Sequence, residues 1–127
     1  MAYAFGAAST ARLRPLHPDL QKVAHLALSY SPHDFTITEG IRSLARQKQL
    51  KAAGASQTLN SRHITGHALD FAVLVAGKVR WDWPLYGQVA VAFKRAAKEL
   101  NVPIIWGGDW KSLRDGPHVE LDRKRYP

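Results

Sequence analysis

Residues 61–70, SRHITGHALD, place His63, His67 and Asp70 within eight positions around a glycine. His63 and His67 are four apart, the spacing that sets two imidazoles on one helix face in His-Glu-x-x-His zinc peptidases. Here the intervening residues are Ile64, Thr65 and Gly66. Two β-branched residues and a glycine make a poor helix interior, and the glutamate of that motif is missing, so the helical pair is rejected. The other pairing is His63 with Asp70. Gly66 lets the chain turn, and ALDFAVL then runs as a strand on which Asp70 shares a face with Ala68 and Ala72, while Leu69, Phe71 and Val73 point to the other side. An acid set among small residues opposite an apolar row faces a cleft. A capping or ion-paired aspartate beside a surface histidine would explain the same spacing.

A second set of reactive groups lies in RDGPHVEL, 48 residues after Asp70. In that strand Val119 and Leu121 face the core, which turns His118 and Glu120 the other way. Asp115 precedes His118 by three residues, across Gly116-Pro117. A zinc hydrolase needs three protein ligands, an open position for water and a carboxylate to take the water's proton. His63, Asp70 and His118 supply two imidazoles and a carboxylate, and Asp115 is held close to the third ligand by a tight turn.

The elements that must position these groups follow from the pattern around them. HPDLQKVAHLALSYSP carries Leu20, Val23, Ala24, Ala27 and Leu28 at helical spacing between Pro18 and Pro32. DFTITEG alternates as a short strand, and SLARQKQLKAAG is a short helix stopped at Gly54. HALDFAVLVAGKVRWD reads as strand, turn at Ala76-Gly77, and return strand. PLYGQVAVAFKRAAKELN is the strongest helix, and VPIIWGG and PHVEL are two final short strands. Mixed helices and short strands with a hairpin predict an α+β fold, one domain over residues 1–127 with a small antiparallel sheet flanked by helices. Trp81 and Trp83 flank Asp82, and Trp106 and Trp110 flank GGD. Core packing is the favoured reading for each tryptophan. Trp106 and Trp110, just upstream of the second motif, could also line a cleft.

Composition limits the chemistry. The 127 residues contain no cysteine, so disulfides, thiolate metal sites and a cysteine nucleophile are excluded together. Eighteen Lys+Arg against ten Asp+Glu give a net charge of +8, which suits a polyanionic partner, although the basic residues are dispersed. No apolar run approaches the roughly 20 residues that span a bilayer. The start MAYAFGAASTARLRP lacks a basic region ahead of its apolar patch, so no signal peptide is expected.

The two motifs, SRHITGHALD followed by DGPHVEL, resemble the Ser-x-His-x-x-Gly-x-Ala-x-Asp and (Asp/Glu)-x-x-His signatures of the zinc D,D-peptidase family. The resemblance covers nearly the whole chain in order, and HPDLQKVAHLAL through SPHDFTITEGIRS is most similar to the family's phage endolysin branch of L-alanyl-D-glutamate peptidases. It implies a Hedgehog/D,D-peptidase-like fold, Zn2+ held by His63, Asp70 and His118, and Asp115 as general base and acid. It also implies cleft roles for Arg42 in EGIRS and for Ser61; Arg42 could hold a substrate carboxylate or the oxyanion, and Trp106 and Trp110 are substrate-contact candidates by their position alone. Glu120 is the rival for the base and is preferred as the group that orients a ligand. The remaining histidines match no signature position. The loop GGDWKSLRDG is too short and too poor in acids for the calcium site known in one relative.

The implied activity is hydrolysis of the L-alanyl-D-glutamate bond in bacterial peptidoglycan, causing host lysis. The expected form is a monomer without a separate wall-binding domain, nucleic-acid partner or stable membrane anchor. It would be made in the host cytoplasm and released to the wall. Two other readings are a D-alanyl-D-alanine carboxypeptidase of the same fold and a non-catalytic basic module that binds wall polymer or nucleic acid. The intact Asp115 argues against the last.

Overall fold

The computed structural model describes residues 3–54, 61–111 and 114–127. Residues 112–113, within the loop read above for calcium, lie outside them. Among the described residues the α-helices are α1 (Ala7–Leu13), α2 (Pro18–Tyr30), α3 (Leu44–Ala52) and α4 (Trp83–Leu100), and the strands are β1 (Asp34–Glu39), β2 (Ala68–Val75), β3 (Lys78–Arg80), β4 (Ile104–Trp106) and β5 (His118–Leu121), in the chain order α1-α2-β1-α3-β2-β3-α4-β4-β5. The strands form one antiparallel sheet in the order β1-β2-β5-β4, with β3 also paired to β2. This is the α+β architecture read from the sequence. The turn between β2 and β3 falls at Ala76 and Gly77, both with positive φ, which matches the twist of a tight hairpin.

The two faces of the sheet differ. Phe35 and Ile37 of β1, Leu69, Phe71 and Val73 of β2, and Val119 and Leu121 of β5 are all buried in one core cluster. The apolar stripes of α2 (Leu20, Val23, Ala27) and α4 (Val89, Phe93, Ala96) belong to the same cluster. Burial of such side chains contributes about 1.5–3 kcal/mol each. The period of two then turns Asp70 and, in register with it, His118 to the opposite face.

Helix α1 has no counterpart in the sequence reading, which saw only an apolar patch there. Seven residues are too few for a 3.6-residue period to stand out. The helix is anchored by tertiary contacts: the Ser9 hydroxyl lies 2.7 Å from that of Thr36 and accepts from the Ile37 N–H at 3.0 Å. Gly40 permits this docking, because a Cβ there would stand 2.3 Å from the Arg12 carbonyl oxygen.

One edge of β2 is shared end to end by β5 and β3, and a side chain closes the gap between them. Phe71 N–H donates to the Pro117 carbonyl at 2.9 Å, whereas Val73 N–H donates to the Tyr86 hydroxyl at 3.1 Å. That hydroxyl donates in turn to the Arg80 carbonyl at 2.7 Å. Tyr86→Phe would leave a buried N–H without an acceptor, and is expected to lower stability by roughly 1–3 kcal/mol in urea unfolding at unchanged m-value. An unchanged midpoint would show that the bridge is not needed.

Candidate metal and catalytic centre

Strand β2 supplies Asp70, β5 supplies His118, and the turn before β2 supplies His63. Gly66, at φ 76°, makes that turn. His67 lies past it and turns away: its Nδ1 pairs with the Thr65 hydroxyl at 2.6 Å, and its ring lies 5.6 Å from that of His17. The His63/His67 pair rejected above is therefore not assembled.

His63, Asp70 and His118 are brought together, with one ligand atom from each lying within 4.8 Å of the others. Asp70 Oδ1 is 3.2 Å from His63 Nε2 and 3.3 Å from His118 Nδ1. Each imidazole is fixed from behind. His63 Nδ1–H donates to the Gly40 carbonyl at 3.0 Å, and His118 Nε2–H donates to Glu120 Oε1 at 2.9 Å. The inward nitrogens, Nε2 of His63 and Nδ1 of His118, are thus the ones presented to a ligand. Two oriented nitrogens and one carboxylate, each imidazole backed by an oxygen, fit a metal ion of the kind that histidine and carboxylate hold.

The electrostatics agree. Burial alone would raise the Asp70 carboxyl, but hydrogen bonds from His118 and His63 hold it far below the usual carboxylate range. Burial would likewise lower His118, yet its bonds to Asp70 and Glu120 push it up to about 9. Asp115 is different: burial, and next the negative charge of Asp70, raise its carboxyl above the ordinary value. It accepts no side-chain hydrogen bond among the described residues. A half-buried carboxylate of raised pKa beside the His63, Asp70 and His118 group suits proton transfer. The turn that holds it is tied by backbone bonds, from Asp115 N–H to the Gly107 carbonyl at 3.0 Å and from His118 N–H to the Asp115 carbonyl at 3.2 Å.

Arg42 enters from the loop after β1. Its guanidinium bonds Glu39, donates to Gln47 Oε1 at 2.7 Å, and lies 3.9 Å from Asp70 Oδ2. Burial would lower its pKa, but the Glu39 bond and the nearby carboxylates hold it above the ordinary value. Glu39 and Gln47 were not singled out from the sequence. Glu39 reaches this face because the register shifts between Ile37 and Glu39, which sets Glu39 opposite Asp70. The Glu-x-x-Arg spacing was the available signal. The Gly40 carbonyl had none, since every residue carries one.

The remaining expected residues fall in different places. The Ser61 hydroxyl accepts from the His63 N–H at 3.2 Å and so braces the ligand turn. Trp110, half-buried, packs its ring 5.0 Å from His118. Trp106 is only 8% exposed and belongs to the core, where its Nε1–H donates to the Gly116 carbonyl at 2.7 Å. Its contact is with the Asp115 turn from beneath, in keeping with the packing alternative.

In the metal-free fold these interactions make stability depend on pH. The His118 contribution is complete below the ordinary histidine pKa of roughly 6.5 and is lost as pH rises through about 9. The Asp70 contribution is present above the ordinary carboxylate range and is lost as pH falls below it. A metal at His118 Nδ1 must replace the proton there. Loading metal-free protein at pH 7 in weak buffer should therefore release about one proton per chain, read with an indicator dye. Metal uptake with no proton release would contradict the arrangement.

Comparison with known proteins agrees with this geometry. Residues 1–126 match the family described as phage L-alanyl-D-glutamate peptidase. The chain is 42% identical to the L-alanyl-D-glutamate peptidase of Escherichia phage T5 over 130 residues, covering 99% of this chain and 94% of that one. It is 50% identical to the crystal structure of the Serratia marcescens L-Ala D-Glu endopeptidase ChiX, with a TM-score of 0.93 over 98% of this chain and 94% of that one. The vancomycin-resistance D,D-dipeptidase VanXYg, in complex with a D-Ala-D-Ala phosphinate analogue, shares the fold at 19% identity and a TM-score of 0.54, covering 84% of this chain and 50% of that one.

Proposed function

The chain belongs to the phage L-alanyl-D-glutamate peptidase family, and from that premise we propose that it is a zinc-dependent endopeptidase cutting the L-alanyl-D-glutamate bond of the peptidoglycan stem. The observation that carries this reading is the convergence of His63, Asp70 and His118, with the raised-pKa carboxyl of Asp115 close enough to feel the charges of all three. Zinc held by the three ligands would polarise the scissile carbonyl and acidify the attacking water. Asp115 takes the water's proton and passes it to the leaving amine, the two-way transfer that a carboxyl of raised pKa serves best. Arg42, held by Glu39 and Gln47, is a fixed positive charge beside Asp70, placed to offset negative charge on the substrate. Glu120 keeps the His118 ring in the orientation that presents Nδ1.

A D-alanyl-D-alanine carboxypeptidase would have to seat a free terminal carboxylate beside the cut bond, which calls for a cation free to pair with it. Arg42 would serve either reading, and the match of the whole chain to L-alanyl-D-glutamate peptidases favours the endopeptidase. The net charge of +8 suits an anionic wall as the site of action. The setting we propose is lysis at the end of a phage infection, with the enzyme made in the host cytoplasm and acting once it reaches the wall.

Digestion of purified peptidoglycan is expected to expose new L-alanine carboxyl ends and new D-glutamate amino ends, with no free D-alanine. Release of D-alanine alone would establish the carboxypeptidase instead. Asp115→Asn should retain one metal per chain yet lose roughly a hundredfold or more in turnover, with Glu120→Gln less affected. The reverse order of effects would move the base to Glu120.

A further inference from the structure

The hairpin edge beside the centre carries aromatic surface that is left open to solvent. Trp81 is 63% exposed, Trp83 45% and Val79 46%. Trp81 is not a loose side chain: its ring lies parallel to Tyr86, at an interplanar angle of 5° and 5.9 Å between centroids, so one face is backed and the other is open. Tyr86 is itself immobilised by the two hydrogen bonds of its hydroxyl and is 2% exposed. Arg80 and Asp82, paired at 2.5 Å, flank Trp81 on either side with polar groups. A rigid, solvent-facing ring bordered by hydrogen-bonding side chains is the form of a ligand platform rather than of scattered surface apolarity.

The platform is continuous with the catalytic turn. A Cβ on Gly116 would meet the Trp83 ring at 3.2 Å and Tyr86 Cβ at 3.4 Å, and Gly116 follows Asp115 directly. Arg114, on the other side of Asp115, lies with its guanidinium 5.1 Å from the Trp83 ring centroid. Along the sheet, Arg80 pairs with Val73, three residues or roughly 10 Å along β2 from Asp70, and Trp81 follows Arg80 as the chain leaves β3.

The chemistry of the substrate says what lies at that distance. In a peptidoglycan stem the L-alanine nitrogen is acylated by the lactyl group of an amino sugar, so a sugar ring follows the L-alanyl-D-glutamate bond after a single residue. One residue plus the lactyl link extends about 7 Å, and the sugar ring lies beyond that. The C–H face of a pyranose is slightly positive, and the face of an indole is negative, so the two stack.

We propose that Trp81, backed by Tyr86 and bordered by Arg80 and Asp82, is a sugar-binding subsite that holds the glycan residue bearing the stem during cleavage. The inference rests on the endopeptidase reading for its choice of ligand. It explains how a catalytic domain of this size engages the strand as well as the peptide.

Two measurements test it. Glycan strands stripped of their stems by an amidase offer no bond to cut, and are expected to shift the Trp81 indole N–H resonance selectively among the four tryptophans. Trp81→Ala should weaken that binding at least tenfold, with Trp81→Phe restoring part of it. In kinetics, kcat/KM for a disaccharide-linked stem divided by that for the same stem without sugar should fall about tenfold in Trp81→Ala, through KM. An unchanged ratio, or glycan shifts that persist in Trp81→Ala, would overturn the subsite. If the wild-type protein cuts neither stem, the endopeptidase reading fails, and the glycan titration still decides the platform.

Discussion

Asp70 is a carboxylate on the face of a sheet, with only 20% of its side chain exposed and with Ala68 and Ala72, both fully buried, beside it on its strand. Such a charge is costly to bury unless it is paired, and the rest of the site can be traced from how that pairing is met. Its oxygen Oδ1 faces both His63 and His118, and Oδ2 faces Arg42. Each partner needs an anchor of its own, which comes from the Gly40 carbonyl, from Glu120 and from Glu39 with Gln47. These anchors lie on β1 and the residue just after it, on α3 and on β5, so three separate elements are tied to one carboxylate on β2.

The same requirement divides the labour between the two acids of the centre. Asp70 is surrounded by donors and held ionised, a state suited to a ligand. Asp115 is half-buried, near a negative charge and free of hydrogen-bond donors among the described residues, a state suited to exchanging protons. Neighbours rather than residue type set the difference. The Asp115 turn is supported from below by the Trp106 indole on Gly116 and from the side by Trp83 and Tyr86. Packing of the aromatic cluster therefore bears directly on where Asp115 stands.

The edge of β2 shows how a gap in backbone pairing becomes a structural link. Strands β5 and β3 do not meet, and the Tyr86 hydroxyl supplies both the acceptor and the donor that the interruption leaves over. The ring that carries this hydroxyl stacks on Phe71 inside and on Trp81 outside. The core and the exposed aromatic surface are thus joined through one side chain, and the hairpin is held against the Asp115 turn.

Periodicity in the sequence determined the α+β class, the helices α2 and α4, the hairpin at Ala76-Gly77 and the face on which Asp70 stands, because alternation and 3.6-residue spacing are local consequences of burial. Residue type and motif order likewise singled out His63, Asp70 and His118, which the fold brings together, and Asp115 beside them. Tertiary structure alone decided what fixes them. The acceptor behind His63 is a backbone carbonyl, which leaves no mark in a sequence. Glu39 reaches Arg42 only because a register shift in β1 turns it to the site, and the role of Trp106 depends on what lies above its ring. Helix α1 is likewise held by Ser9 on Thr36, a contact 27 residues apart in the chain. Local pattern can name the groups able to do chemistry, but the partners that orient them come from distant segments, and their distance is set only when the chain folds.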